Sequence, residues 1–329
     1  MIIPYCEHDH GTFDGEWNPH YGVNDWWYAT GYLRENGHPQ NLYSYQFTLV
    51  NPRRFGKVFY MLDTAFSDMQ TGEHFFERKI RLAGKKTGIF QEVVTFLPFG
   101  LLQKRNEQMM VTTKTKVLEL DLNLQSGKGA FWHCDNGLLI MGVPDDPKQR
   151  SVYYSYTNMP TTGTVKLTNN AGHMREFSVS GKSWFDRQWG PFRLLDTNSY
   201  WEWFSIRFFD DEEVMLFAFP QHSYYDGTYI DKDGRTKRIR DYHYDFHSLM
   251  KRNKLVFSYG WDIVLPGVKE EYYRITPLHD GQYNSGYFEI MSSVTNMDKK
   301  EVGYSFVELM PGLRHTGKKL RTLDLFLYH

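Results

Sequence analysis

The chain is short of the residues most cofactor chemistry needs. Its 329 residues include two cysteines, Cys6 and Cys134, which form neither a CxxC pair nor a zinc-site spacing. A disulfide framework is not expected. No GxGxxG follows a strand pattern and no GxxxxGK[ST] occurs, so no nucleotide cofactor is expected. A GxSxG elbow is also missing. Neither sign of charge dominates: 38 Lys and Arg stand against 39 Asp and Glu, a formal charge of -1. That balance supplies no electrostatic drive toward nucleic acid or an anionic membrane. No apolar run approaches the length of a membrane span. Met1 to Glu7 lacks the basic and apolar regions of a secretory leader, so a cytoplasmic location is expected.

What the chain has in quantity is aromatic side chains, 17% of all residues, with 24 Phe and 23 Tyr. With many Thr and Val beside them, they favour strands over helices. Alternation recurs. In Val111 to Leu124, the side chains of Leu118, Leu120, Leu122 and Leu124 fall on one face. Val214 to Phe219 and Leu255 to Ile263 repeat the signal. Turn clusters at Asn36-Gly37, Ser126-Gly127, Asn169 to Gly172 and Asp233-Gly234 separate such runs. Short helices are expected only in Phe66 to Arg81 or Asp241 to Arg252. The class is all-β, mostly antiparallel, as barrels or sandwiches.

A weak internal repeat is visible. Trp26-Trp27-Tyr28 opens one block of strands and Trp201-Glu202-Trp203 another. Gly181-x-x-Trp184-x-Asp186 near the end of the first block matches Gly303-x-x-Phe306-x-Glu308 near the end of the second. This predicts two related domains, 1–193 and 194–329, with the boundary near Pro191 to Ser199.

The segment Val179 to Gly190 carries the chemistry. On a strand, Trp184, Asp186 and Gln188 face one way and Phe185, Arg187 and Trp189 the other. Aromatics on both faces imply that both are covered. An acid on a covered aromatic face is neutralised by a partner or kept protonated by desolvation. A protonated acid there can protonate a carbon–carbon double bond, and aromatic faces stabilise the resulting cation. Water capture gives hydration; capture by an internal alkene or hydroxyl gives cyclisation. The alternative is a structural acid bonded to an Arg or to Tyr hydroxyls.

Several stretches resemble one family. Asp25 to Leu33, Tyr153 to Tyr156 with Gly163, Ser180 to Gly190, Trp201 to Phe219, Tyr287 to Glu289 and Gly303 to Glu308 are similar to the motifs of carotenoid 1,2-hydratase (hydroxyneurosporene synthase) and its lipocalin-like relatives. Those relatives include kievitone hydratase and fungal decalin-forming Diels–Alderases. The likeness runs from about Asp9 to Leu309. It implies two tandem lipocalin-like antiparallel β-barrel domains, an apolar pocket in or between them, and neither metal nor organic cofactor. By position it implies Asp186 as the proton-donating acid and Trp184 as its companion. Tyr154 and Tyr156 fall where the hydratase has a His-x-Trp pair linked to catalysis, and that departure points to a different substrate.

The expected function is therefore a cofactor-independent enzyme of isoprenoid or polyketide metabolism. It would protonate a C=C bond of a lipophilic small molecule, with cyclisation, isomerisation or hydration as the outcome. A pericyclase that acts by folding its substrate, or a lipophilic-ligand carrier, are the alternatives. Expected catalytic residues are Asp186, Tyr154 and Tyr156. Expected substrate contacts are Trp184, Trp27, Tyr28, Trp201, Trp203 and His222. Asp25 reads equally as a surface acid or a second catalytic one. His8-Asp9-His10 and His243-x-Asp245-x-His247 carry metal-capable side chains, but nothing else clusters with them and no metal is expected.

Overall fold

The structure, a computed structural model, describes residues 4–8, 10–52, 58–169, 171–193, 200–252 and 255–310. The chain divides into two compact bodies. The first comprises Met1–Trp132 and Val152–Pro191; the second comprises His133–Ser151 and Phe192–His329. Of the expected boundary, residues 194–199 lie outside the described residues, as does Asp9.

Among the described residues there is no α-helix, only two 3-10 turns. The strands up to residue 190 are β1 (Asn24–Glu35), β2 (His38–Asn51), β3 (Phe59–Asp68), β4 (His74–Leu82), β5 (Thr87–Phe90), β6 (Val93–Phe96), β7 (Gly100–Arg105), β8 (Gln108–Lys114), β9 (Leu118–Leu124), β10 (Ala130–Trp132), β11 (Leu138–Ile140), β12 (Arg150–Thr168) and β13 (Met174–Gly190). The remainder are β14 (Trp201–Phe208), β15 (Glu213–Phe219), β16 (Tyr224–Ile230), β17 (Thr236–Ile239), β18 (His243–Arg252), β19 (Leu255–Val264), β20 (Tyr272–Pro277), β21 (Phe288–Thr295) and β22 (Glu301–Met310). The two possible helices are strands instead. Phe66 to Arg81 is the β3–β4 hairpin and Asp241 to Arg252 ends in β18. In Asp241 to Arg252, Tyr242, Tyr244 and Phe246 recur at period two and favour a strand.

The class is all-β, with a nearly closed barrel sheet and a half-barrel sheet. The first sheet runs β4-β3-β2-β1-β13-β12-β9-β8-β7-β6-β5 and the second β17-β16-β15-β14-β22-β21-β20-β19-β18. Each begins with a four-strand meander, β1–β4 or β14–β17, whose first strand pairs with β13 or β22. β9 shows how the sequence sets the wall: its four leucines are buried while Asp121 and Asn123 between them are exposed.

The two sheets match in register residue by residue. In the first body Asp186 pairs with Tyr28, Tyr28 with Thr48, and Thr48 with Asp63. In the second, Glu308 pairs with Trp203, Trp203 with Phe217, and Phe217 with Asp226. Five residues away, Gly181 pairs with Leu33 and Gly303 with Phe208. These glycines have one cause. A Cβ at Gly181 would lie 2.0 Å from the Tyr32 carbonyl oxygen, and one at Gly303 2.5 Å from that of Arg207. Even the flanking ion pair recurs. Arg78 clamps Asp63 at 2.7 and 2.6 Å, and Arg238 clamps Asp226 at 2.9 and 2.7 Å.

Each body has its own apolar core. Trp27, Ala29, Leu33, Phe47, Leu62 and Leu120 belong to the first, and Phe204, Ile206, Leu216, Trp261, Ile263 and Val307 to the second. No helix among the described residues is long and apolar enough to cross a membrane.

Candidate active site

β13 lies between β1 and β12, so its two faces have separate surroundings. Phe185 and Trp189 point into the first core, with Arg187 on the same face. Trp184, Asp186 and Gln188 point the opposite way. They are nonetheless buried, Asp186 to 5% exposure. Around them on this outer face stand Tyr28 and Thr30 from β1, Gln46 and Thr48 from β2, and Tyr153 and Ser155 from β12, all buried. This outer face of hydroxyls, amides and aromatic rings is closed to water.

Asp186 is held from two directions. The Ser155 hydroxyl, directly across on β12, donates to its Oδ1. The Trp184 indole N–H, two residues along the same strand, donates to the same oxygen. A carboxyl with hydroxyl and indole donors in a desolvated aromatic setting can hold, deliver and take back a proton.

The inner face is filled by the chain's own N-terminal segment. Trp17 stacks on Phe185 at 5.0 Å, Phe13 on Trp132 at 4.9 Å, and His20 on Trp189 at 4.2 Å. The Trp27 indole donates to the Trp17 carbonyl at 3.0 Å. Tyr154 uses its hydroxyl on the Phe13 carbonyl at 3.0 Å, and burial pushes its phenol well up. Tyr156 is pushed up to about 12 by burial, against the pull of Lys104. Lys104 itself is buried and bonds Asp14 and Glu92. Tyr154 and Tyr156 are thus neighbours of Asp186 along the sheet but on its opposite side: Tyr154 pairs with Arg187, Ser155 with Asp186, and Tyr156 with Phe185.

At the centre of this plug lies a charge network. Arg187 donates to Asp25 at 2.7 Å, with both side chains fully buried. Its guanidinium lies 4.1 Å from the Trp27 ring centre and 4.9 Å from that of Trp189. It also donates to the carbonyls of Glu16 and Asn18 at 3.2 and 2.8 Å. His20 joins Asp25 at 3.3 Å and Glu16 at 2.7 Å. Asp25 is therefore not a surface acid; it is the counter-ion of Arg187. The sequence places Arg187 on one strand face with the aromatics Phe185 and Trp189, but not its partner.

The other expected residues separate. Trp27 points into the first core. In the second body Trp201 and Trp203 lie opposite the core face of β14, and the Trp201 indole donates to Glu308 at 2.6 Å. His222 is exposed on the 3-10 turn Pro220–His222, and its partial burial lowers its pKa. His247 pairs with Asp262 at 3.2 Å, and Asp262 is also bound by Arg274. Among the described residues no group of three His, Cys, Asp or Glu side chains could hold a metal ion. Both cysteines are free, Cys6 exposed and Cys134 buried. A groove of about 360 Å³ in the first body is lined in part by Lys114, Glu119, Lys166 and Glu176, a charged surface unlike a lipophilic pocket. Ser155 was not singled out in the sequence; its only mark there is that it alternates with Tyr154 and Tyr156.

Two antiparallel sheets, one a nearly closed barrel and one a half-barrel, place the chain in the lipocalin-like fold group. The chain belongs to the AttH-like family, whose model matches residues 7–312. Solved structures agree in fold. A Nitrosomonas europaea protein assigned to AttH has a TM-score of 0.81 at 20% identity, over 94% of this chain and 99% of that one. Kievitone hydratase from Nectria haematococca gives 0.72 at 14% identity, over 94% and 95%. CghA, solved with Sch210972, gives 0.55 at 9% identity, over 94% and 95%. Among curated proteins none matches the sequence.

Proposed function

We propose that the protein is a cofactor-independent enzyme that protonates a C=C bond of a lipophilic substrate, with Asp186 as the proton donor. The observation that carries this reading is a carboxyl at 5% exposure that accepts hydrogen bonds from Ser155 and Trp184 on a buried face lined with aromatic rings. Desolvation favours the neutral acid in such a place, and the rings of Trp184 and Tyr28 would stabilise the carbocation formed. Hydration, isomerisation and cyclisation differ only in what captures that cation. The fold shared with kievitone hydratase supports a small-molecule reaction of secondary metabolism. Tyr154 and Tyr156 enter as inner-face residues that fix β12 beside the acid. Trp27 enters through the wall it builds. Trp201, Trp203 and His222 are offered as substrate contacts of the second body.

The test is a mass-spectrometric screen of wild type and Asp186→Asn with linear polyprenyl compounds and polyene polyketides, in light and heavy water. Deuterium on carbon in the wild-type product, absent with the variant, supports the reading. An isomeric product without deuterium that survives in Asp186→Asn replaces it with a pericyclase. Ligand bound and returned unchanged by both proteins replaces it with a carrier.

A further inference from the structure

We infer that β18 is a self-association edge: it pairs antiparallel with β18 of a second copy of this chain, about a two-fold axis at Ser248.

The main path of the first sheet ends in β4 and β5, that of the second in β17 and β18. An edge strand is a template for another strand, and proteins blunt it by making it short or charged. β5 and β17 have four residues each. β4 carries Glu77, Arg78, Lys79 and Arg81. β18 is different. It has ten residues, and its central run Phe246-His247-Ser248-Leu249-Met250 contains no Asp, Glu, Lys or Arg. Asp245 to Leu249 are all exposed, Phe246 to 38% and Leu249 to 54%. Successive side chains of a strand turn to opposite faces, so water reaches both sides of this edge.

Charge identifies the occupant. Asp245 lies near one end of β18 and Lys251 near the other. Asp245 stands beside Asp262 on β19, and Asp262 is bonded by Arg274 and His247. Among the described residues neither Asp245 nor Lys251 makes an ion pair. They are about 20 Å apart along the strand and do not meet each other. A second copy brings them together. Antiparallel pairing about a two-fold axis sets one residue against its own copy. With the axis at Ser248, Asp245 faces the partner's Lys251, and Lys251 faces the partner's Asp245. Phe246 then faces the partner's Met250, apolar against apolar. An axis at His247 would set Asp245 against the partner's Leu249. One at Leu249 would set His247 against the partner's Lys251. The charges therefore select Ser248, and the strand is complementary to itself. The two nine-stranded sheets then run on across the axis through main-chain bonds.

The experiment is sedimentation velocity of the full chain over a concentration series, with wild type, Asp245→Lys, Lys251→Asp and the variant carrying both substitutions. Wild type is expected to pass from monomer to dimer as concentration rises. Each single substitution turns both cross-strand charge pairs from attraction to repulsion and is expected to weaken the dimer about tenfold or more. The double variant restores opposite charges in the same register and is expected to recover the wild-type dimer constant. Cysteine cross-linking checks the register without charge changes, in a chain carrying Cys6→Ser. Ser248→Cys is expected to give a covalent dimer on oxidation. Leu249→Cys is expected to give none, because the register shifts that residue about 7 Å along the strand from its copy. A wild-type monomer at every concentration overturns the inference, whether β18 stays open or takes a peptide of another protein. A dimer that the single substitutions leave unchanged, or that the double variant fails to restore, lies elsewhere on the molecule and overturns it as well.

Discussion

The two sheets share one register and fill it differently. On the outer row, Ser155, Asp186 and Tyr28 in the first body correspond to Glu289, Glu308 and Trp203 in the second. On the inner row, Trp27 and Arg187 correspond to Glu202 and Leu309. The first body places its inner charge on its last strand and pairs it with Asp25; the second places one on β14 and gives it the Trp261 indole at 3.2 Å. Both last strands carry an acid that accepts an indole N–H, yet Asp186 is buried whereas Glu308 is half-buried. A β-sheet fixes where a side chain points, and the residue chosen at each point sets whether the position supports a fold or a reaction. The matched register places two equivalent acids, and burial distinguishes them.

The largest expected effect separates those acids by activity. Asp186→Asn should lower turnover by about 10²- to 10⁴-fold, the range for loss of a general acid, measured as product formed per enzyme. If Glu308→Gln lost as much, the assignment of the reaction to the first body would break.

The next contrast concerns the inner rows. Arg187→Met leaves Asp25 buried without its ion pair and should cost about 3–5 kcal/mol in a denaturant titration. Adding Asp25→Asn to that variant should restore part of the loss, because the unpaired charge is removed. Equal losses in the single and double variants would mean that packing, and not charge pairing, holds the N-terminal segment.

Acid should act on the second body through His133. Its burial lowers its pKa from 6.5 to about 3. Below about 6.5 the unfolded chain takes up a proton that the folded one refuses. Stability from this group is therefore complete above about 6.5 and falls as pH drops toward about 3. Melting temperatures recorded from pH 7 to 4 should fall less steeply in His133→Gln. The smallest effect is that of Glu308→Gln on stability. The Gln carbonyl still accepts the Trp201 indole, so a loss of only ~0.5–1 kcal/mol is expected in the same titration.

Much of this was legible beforehand, for local reasons. The alternation in Val179 to Gly190 separates Asp186 from Arg187 because a strand turns successive side chains to opposite faces, and the structure keeps that division. The motif Gly181-x-x-Trp184-x-Asp186 and its echo at Gly303 marked equivalent register positions, because close strand approach demands glycine at both. Ser155 was not legible, since its value comes from lying across from Asp186, 31 residues away in sequence. The pairing of Asp25 was not legible either, because its partner, Arg187, is 162 residues distant.

The sequence alone determined an all-β chain, its repeat, its family and the strand face on which each candidate lies, because period-two patterning and glycine spacing are properties of neighbouring residues. Only the tertiary structure decided that the N-terminal segment fills the first barrel, that Tyr154 and Tyr156 lie behind the wall that presents Asp186, and which donors hold that acid. Those outcomes depend on strand register and burial, which arise when distant segments pair and exclude water together.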